Sequence, residues 1–143
     1  MAVLIEFVQG EFVPKLDGVL ETALYVDDLE RSVGFYQNLF GFPVVSSGDR
    51  LCALGVPGRQ VLLLCKKRAS ASLALGAHDG EGQLHLAFAV PVAELDAWEA
   101  WLEQNGVAIE ERRTWERGGR SLYFRDPDRH LIELATPGTW SIY

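Results

Sequence analysis

No apolar run in these 143 residues approaches the roughly 20 that a membrane-spanning helix needs, so no membrane role is expected. The opening, MAVLIEFVQGEFVPK, has neither a basic leader nor a small-residue cleavage site, which predicts a cytoplasmic protein. Cysteine is scarce. Cys52 and Cys65 stand alone with no CxxC spacing, which argues against a thiolate zinc site and a disulfide framework. Each falls in a predicted strand and is expected to pack as a small apolar side chain. Basic residues are outnumbered, 13 against 20 acidic, for a net charge of −7. That balance argues against nucleic acid as a partner and weakly favours cationic ligands or metal ions. The chain also lacks a glycine-rich nucleotide motif and a nucleophile elbow, which disfavours hydride transfer and serine hydrolysis.

What is present is ordinary for a globular domain, 48% hydrophobic and 23% charged residues. The length suits one domain, or two small halves sharing a core. The most informative stretch is Ser121–Pro137, SLYFRDPDRHLIELATP. It reads as strand, turn, strand: Leu122 and Phe124 alternate with Ser121 and Tyr123, and Asp126-Pro127-Asp128 is turn chemistry. Arg129 follows at a place that often needs positive φ, and His130 reads as a turn residue. Glu133 lies in the middle of the second strand between Ile132 and Leu134. A carboxylate there either faces solvent or needs a partner: a cation, a basic side chain or water.

Periodicity fills in the rest. Val19–Val26 alternates as a strand with Glu21, Ala23 and Tyr25 on one face. Asp27 with Glu30 looks like a capping box, Leu29, Val33, Tyr36 and Phe40 recur at helical spacing, and Gly41 is placed to stop the helix. Strands are predicted at 42–46, 51–56 and 59–66. Residues 67–83, small, polar and glycine-bearing, read as a mobile linker with His78 exposed. Leu84–Val90 is a strand with His85, Ala87 and Ala89 on one face. A helix over 93–105 carries Leu95, Trp98 and Leu102 inward, with Trp98 and Trp101 as packing residues, and Gly106 ends it. Strands follow at 107–112, 121–125 and 131–135. The domain plan is an N-terminal arm or extra strand (1–18), a first module (19–66), the linker (67–83) and a second module with a tail (84–143).

Both modules run strand, helix, three strands: an α+β fold of two βαβββ units forming a curved mixed sheet around a central cleft. The repeat is visible by position. Val26 matches Val90 (90 − 26 = 64), Gly41 matches Gly106 (106 − 41 = 65), and Leu63 matches Glu133 (133 − 63 = 70). Superposition puts Glu21 on His85 and Leu63 on Glu133. If the sheets face each other, these four positions converge. Glu21, His85 and Glu133 then make a first shell for a divalent ion, Zn, Ni, Mn, Fe or Co, with Leu63 as an apolar fourth member. Plainer readings stand beside this one: His85 as a satisfied core histidine, Glu21 as an ion-paired strand-end glutamate. Tyr25, Trp115 and Tyr123 are candidates to line a substrate pocket, although strand aromatics usually pack in the core. Arg120 and Arg112 are candidate anchors for an anionic substrate, against the reading of solvated surface charges.

The segments LETALYVDDLERSVGFYQNLFGF, GQLHLAFAV and RSLYFRDPDRHLIELATP together resemble the vicinal oxygen chelate superfamily: glyoxalase I, bleomycin- and fosfomycin-resistance proteins and extradiol dioxygenases. The resemblance spans about residues 19–137. It implies metal ligands at three or four of Glu21, Leu63, His85 and Glu133, and a homodimer in many members. It implies a lyase or isomerase that stabilises an oxyanion of a small vicinal-oxygen substrate, with Glu133 or Glu21 as base. The alternative is a metal-free binder of a cationic small molecule. Ring cleavage ranks lower, because dioxygenases and fosfomycin-resistance enzymes use two histidines and one glutamate, whereas this chain offers one histidine and two glutamates. Leu63 also stands where glyoxalase I carries a carboxylate.

Overall fold

A computed structural model describes residues 13–143. Most of the expected N-terminal arm, residues 1–12, lies outside the described residues; 13–18 are exposed and carry no regular structure. The first module comprises β1 (Glu21–Val26), α1 (Leu29–Phe40), β2 (Val44–Ser47), β3 (Leu51–Val56) and β4 (Gln60–Lys66). The second comprises β5 (His85–Ala89), α2 (Leu95–Gln104), β6 (Ile109–Thr114), β7 (Arg120–Arg125) and β8 (Leu131–Ala135). A single 3₁₀ turn, Val92–Glu94, leads into α2.

The expected repeat is present in the hydrogen-bond register. Each module folds into its own four-stranded mixed sheet, ordered β1-β4-β3-β2 and β5-β8-β7-β6. The parallel pair β1·β4 sets Glu21 against Val61 and Ala23 against Leu63. The parallel pair β5·β8 sets His85 against Leu131 and Ala87 against Glu133. Glu21 and His85 therefore occupy equivalent first positions on equivalent edge strands.

Local chemistry explains the boundaries. Asp28, rather than the expected Asp27, caps α1, its carboxylate accepting the Arg31 N–H at 3.0 Å. Gly41 ends the helix at φ 70°, its N–H bonded to the Gln37 carbonyl. β6 begins two residues later than expected because Gly106 and Val107 are still engaged in ending α2, their N–H groups bonding Glu103 and Leu102 carbonyls.

One core serves both modules. Leu24, Val26, Leu62 and Leu64 of the first sheet and Leu122, Phe124, Ile132 and Leu134 of the second pack with Tyr36, Leu39, Leu95 and Leu102 of the helices. Cys52 joins this core, and both cysteines are buried free thiols, as expected. Strand alternation then turns the opposite faces, bearing Glu21 and His85, away from the core. The curved sheet of the sequence reading thus exists in one chain as two halves joined through their helix-bearing faces.

The DPD turn clamps the halves together. Asp126 accepts from the Tyr36 hydroxyl at 2.7 Å and from the N–H groups of Asp128 and His130. Asp128 accepts from the Asp27 N–H at 2.8 Å and the Ser32 hydroxyl at 3.0 Å, beside Arg31. Arg129 takes up the positive φ, 69°. His130 is more than a turn residue: it is fully buried, and its ring bridges the modules. Nδ1 accepts the Leu84 N–H at 2.9 Å, so Nε2 carries the proton and donates to the Tyr25 carbonyl at 2.7 Å.

Residues 67–83 form a turn-rich segment laid against the first sheet rather than a free linker. Ser70 is buried, Asp79 accepts the Arg68 N–H, and Lys67 pairs with Asp27 and Glu81. His78 is half-buried and shares a 2.7 Å hydrogen bond with the Tyr25 hydroxyl. Gly80 lies flat on the Tyr25 ring, where any Cβ would collide.

Candidate functional site

Two of the candidate residues, Glu21 and His85, stand on the outward faces of the edge strands β1 and β5, and the rest of the second cluster on β6, β7 and β8. His85 heads β5, half-exposed, with Nε2 3.3 Å from Glu133 Oε1 on neighbouring β8. Its other nitrogen, Nδ1, is 2.8 Å from the Leu131 carbonyl. A carbonyl only accepts, so Nδ1 carries the proton and Nε2 of the neutral ring is a bare lone pair. That lone pair converges on a carboxylate oxygen. Two acceptors at this separation repel each other unless a cation lies between them, either a proton on Nε2 or a metal ion in its place.

Glu133 is buried. Its Oε2 accepts from the Ser121 hydroxyl at 2.6 Å, and Ser121 Oγ accepts from the Trp115 indole N–H at 2.8 Å. Tyr123 packs beside His85, ring centroids 6.4 Å apart and near parallel. Burial, and then the Glu133 charge, push the Tyr123 hydroxyl above its usual range. Arg113 covers this cluster. Its guanidinium lies 4.9 Å from the centre of the Trp115 ring and 5.6 Å from that of Tyr123. Glu111, bonded at 2.8 Å, holds its charge firmly on.

Arg113 is the cation that sequence reasoning missed, and the cause is a bulge. The β6–β7 register slips between Ile109 and Glu111. Glu110 is the extra residue, so parity inverts beyond it. Ile109 faces the core, yet Glu111 and Arg113 pair with Tyr123 and Ser121 on the site face. Arg112 and Arg120, the expected anchors, point the other way and pair with Glu99 and Asp96 of α2. Neither reaches the cluster.

Of the three expected ligands, one chain unites two. Glu21 is exposed on the edge strand β1 of the other sheet, and among the described residues it makes no bond to His85 or Glu133. Among the described residues no three His, Cys, Asp or Glu side chains form a metal-holding group. Leu63 and Tyr25 lie with Glu21 on that same outward face, both half-buried. Burial is the main reason the Tyr25 hydroxyl is shifted upward, with Cys65 and Asp79 adding to it.

The donor set fits a divalent ion. A neutral imidazole nitrogen and a carboxylate oxygen suit Zn, Ni, Mn, Fe or Co. Two ligands each about 2.1 Å from one ion stand roughly 3 Å apart, close to the observed 3.3 Å.

The chain matches the model of the Glyoxalase/Bleomycin resistance protein/Dioxygenase superfamily over residues 18–134. It is 30% identical over 112 residues to a metallothiol transferase FosB of Staphylococcus saprophyticus, which covers 78% of this chain and 71% of that protein. It is 35% identical to the catechol-2,3-dioxygenase of Bacillus subtilis over 112 residues, 78% of this chain and 38% of that one. Among solved structures, the lactoylglutathione lyase of Agrobacterium tumefaciens superposes with a TM-score of 0.84 at 30% identity, over 90% of this chain and 99% of the other.

Proposed function

Because this chain belongs to the Glyoxalase/Bleomycin resistance protein/Dioxygenase superfamily, we propose that it is a metal-dependent enzyme acting on a small substrate with neighbouring oxygens. The observation that carries the reading is His85 Nε2 set 3.3 Å from Glu133 Oε1, with Nδ1 engaged by the Leu131 carbonyl. His85 and Glu133 would hold the ion from one chain, and Glu21 from a second copy. Among the described residues β1 and β5 both end their sheets unpaired, with Glu21 and His85 at matching positions. A homodimer that sets β1 of one copy beside β5 of the other brings a second carboxylate to each site and covers both edges.

A bound divalent ion would act as a Lewis acid, holding the substrate oxygens and favouring the negative charge that develops on them. Arg113 would receive the substrate's anionic end, because its planar guanidinium faces the cluster and its ring contacts hold it in place. Tyr123 and Trp115 would form the apolar wall. Tyr25 and Leu63 of the second copy would close the opposite side. Glu133 is committed to Ser121, so exposed Glu21 is the better group to take a proton from the carbon beside the oxyanion. In this reading the reaction is that of a lyase or isomerase.

A second reading is transfer of a thiol to a small electrophile, which needs the same oxyanion stabilisation. The metallothiol transferases among the relatives favour it, although the two-glutamate ligand set departs from the one expected for that class. Sequestration of a cationic drug is disfavoured by Arg113, which sets a positive charge at the site.

Subunit complementation tests the assembly. Glu21→Ala and His85→Ala proteins should each bind no ion tightly. Co-expressed, they should regain up to one intact site per heterodimer, read as zinc or nickel content by elemental mass spectrometry. Metal content indifferent to Glu21, His85 and Glu133 would defeat the enzyme reading. Incubation with 2-oxoaldehyde hemithioacetals, and separately with epoxides plus thiols, discriminates isomerisation from thiol transfer.

A further inference from the structure

We infer that Ser121 is a positioning residue which, relaying the Trp115 indole N–H to Glu133, turns one carboxylate oxygen of Glu133 toward His85. The inference rests on the metal reading above and adds to it the device that aims the ligand.

The geometry is a chain of donors with one polarity. Trp115 Nε1–H can only donate, and it donates to Ser121 Oγ at 2.8 Å. Ser121 Oγ–H is thereby left to donate onward, to Glu133 Oε2 at 2.6 Å. Indole N–H has no acceptor lone pair, so the relay cannot reverse. Glu133 Oε2 is occupied, and Oε1 is the oxygen left facing His85 Nε2 at 3.3 Å. Ser121 and Glu133 are both buried, so water does not substitute readily for the hydroxyl.

The scaffold fixes each partner. Ser121 stands on β7 and Glu133 on β8, two positions apart along a shared antiparallel ladder, on the same face. Trp115 follows the end of β6 and is stacked under Arg113. Its loop is held by the Trp115 N–H to the Gly119 carbonyl at 2.7 Å and the Gly118 N–H to the Trp115 carbonyl at 2.9 Å. The site thus has a rigid support behind Glu133 and an open front beside His85.

Partners of this kind typically change metal affinity by about 10–100-fold when removed. The probe is Zn²⁺, titrated calorimetrically into the protein purified with chelator and then freed of it. Ser121→Ala should bind Zn²⁺ about 10–100-fold more weakly, while Ser121→Thr, which keeps the hydroxyl, should stay within a few-fold of wild type. Trp115→Phe removes only the first donor and should fall between them. A second readout includes an exchange measurement that needs no metal. In ¹⁵N–¹H spectra the indole resonance assigned by its loss in Trp115→Phe should exchange slowly, and its position should shift when Zn²⁺ is added. In Ser121→Ala it should exchange faster and be indifferent to Zn²⁺.

Wild-type zinc affinity in both Ser121→Ala and Trp115→Phe would overturn the inference, as would a rapidly exchanging Trp115 indole in the wild-type protein. A wild-type protein that takes up no zinc, or one whose uptake survives His85→Ala, defeats the metal reading instead, and the aiming role falls with it. The exchange measurement still decides whether the relay exists.

Discussion

The Tyr36 hydroxyl donates to Asp126 at 2.7 Å in the buried interior, joining α1 of the first module to the turn of the second. Burial, followed by the Asp126 charge, raises the Tyr36 pKa well above its usual value near 10. The folded state therefore holds this proton more tightly than the unfolded chain does. Its contribution to stability is complete below pH about 10 and is lost as pH climbs from there through the folded pKa. Tyr36→Phe should cost about 1.5–3 kcal/mol at neutral pH, because a charged acceptor loses a donor. It should also flatten the alkaline limb of stability against pH, measured by urea unfolding at pH 8 to 11.

His130 closes the same junction from the other side. Its ring satisfies the Leu84 N–H and the Tyr25 carbonyl together. His130→Ala should destabilise by about 2–4 kcal/mol, the sum of two orphaned backbone groups and a cavity. Denaturant titration checks the size. Hydrogen exchange should show the Leu84 amide losing protection ahead of the strand interiors.

Gly119 supports the Trp115 loop from below. A Cβ there would collide with the backbone of Gly138 and Thr139. Gly119→Ala should cost about 1–3 kcal/mol by overpacking and displace the C-terminal tail. The Tyr143 hydroxyl, now against the Val90 and Ala135 carbonyls, would be released. Calorimetric Tm and tail proteolysis are the readouts.

Metal linkage gives a prediction independent of substrate. Zn²⁺ or Ni²⁺ at one hundred times its Kd should stabilise the protein by about 2.7 kcal/mol, raising Tm by roughly 5–10 °C for a chain of this size. Excess chelator should reverse the shift. His85→Ala and Glu133→Ala should show none of it.

Substitution of Arg113 tests the proposed substrate contact apart from the scaffold. Arg113→Met should leave metal-linked Tm within about 2 °C of wild type, since the guanidinium is no ligand and its surface ion pair is worth about 0–1 kcal/mol. It should raise KM for an anionic substrate far more than it lowers kcat. Arg120→Met, facing α2, should change neither. The pair is read in one steady-state assay.

Much of the architecture was legible because it repeats. Alternation in VLETALYV and LHLAFAV, and stops at Gly41 and Gly106, report local preferences that the tertiary fold keeps. His85 and Glu133 were legible for the same reason: parallel pairing of β5 with β8 follows from the module plan. Arg113 was not. A bulge is one residue of backbone slack, invisible to periodicity, and it exchanged the faces of Arg112 and Arg113. His78 and His130 were read as exposed and turn residues, because their partners, Tyr25 and Leu84, are distant in sequence.

From the order of residues alone follow two copies of one βαβββ unit, the free thiols, the DPD turn and an imidazole and carboxylate on matched strands. Those depend on side-chain alternation and turn chemistry, which act over a few residues. The relation between the modules was settled only by packing. The helix-bearing faces carry the buried apolar residues of both modules and pack into one core, and this turns Glu21 and His85 outward on opposite sheets. Burial of the common core thus decides that a chain unites His85 with Glu133 and leaves Glu21 apart on an edge strand.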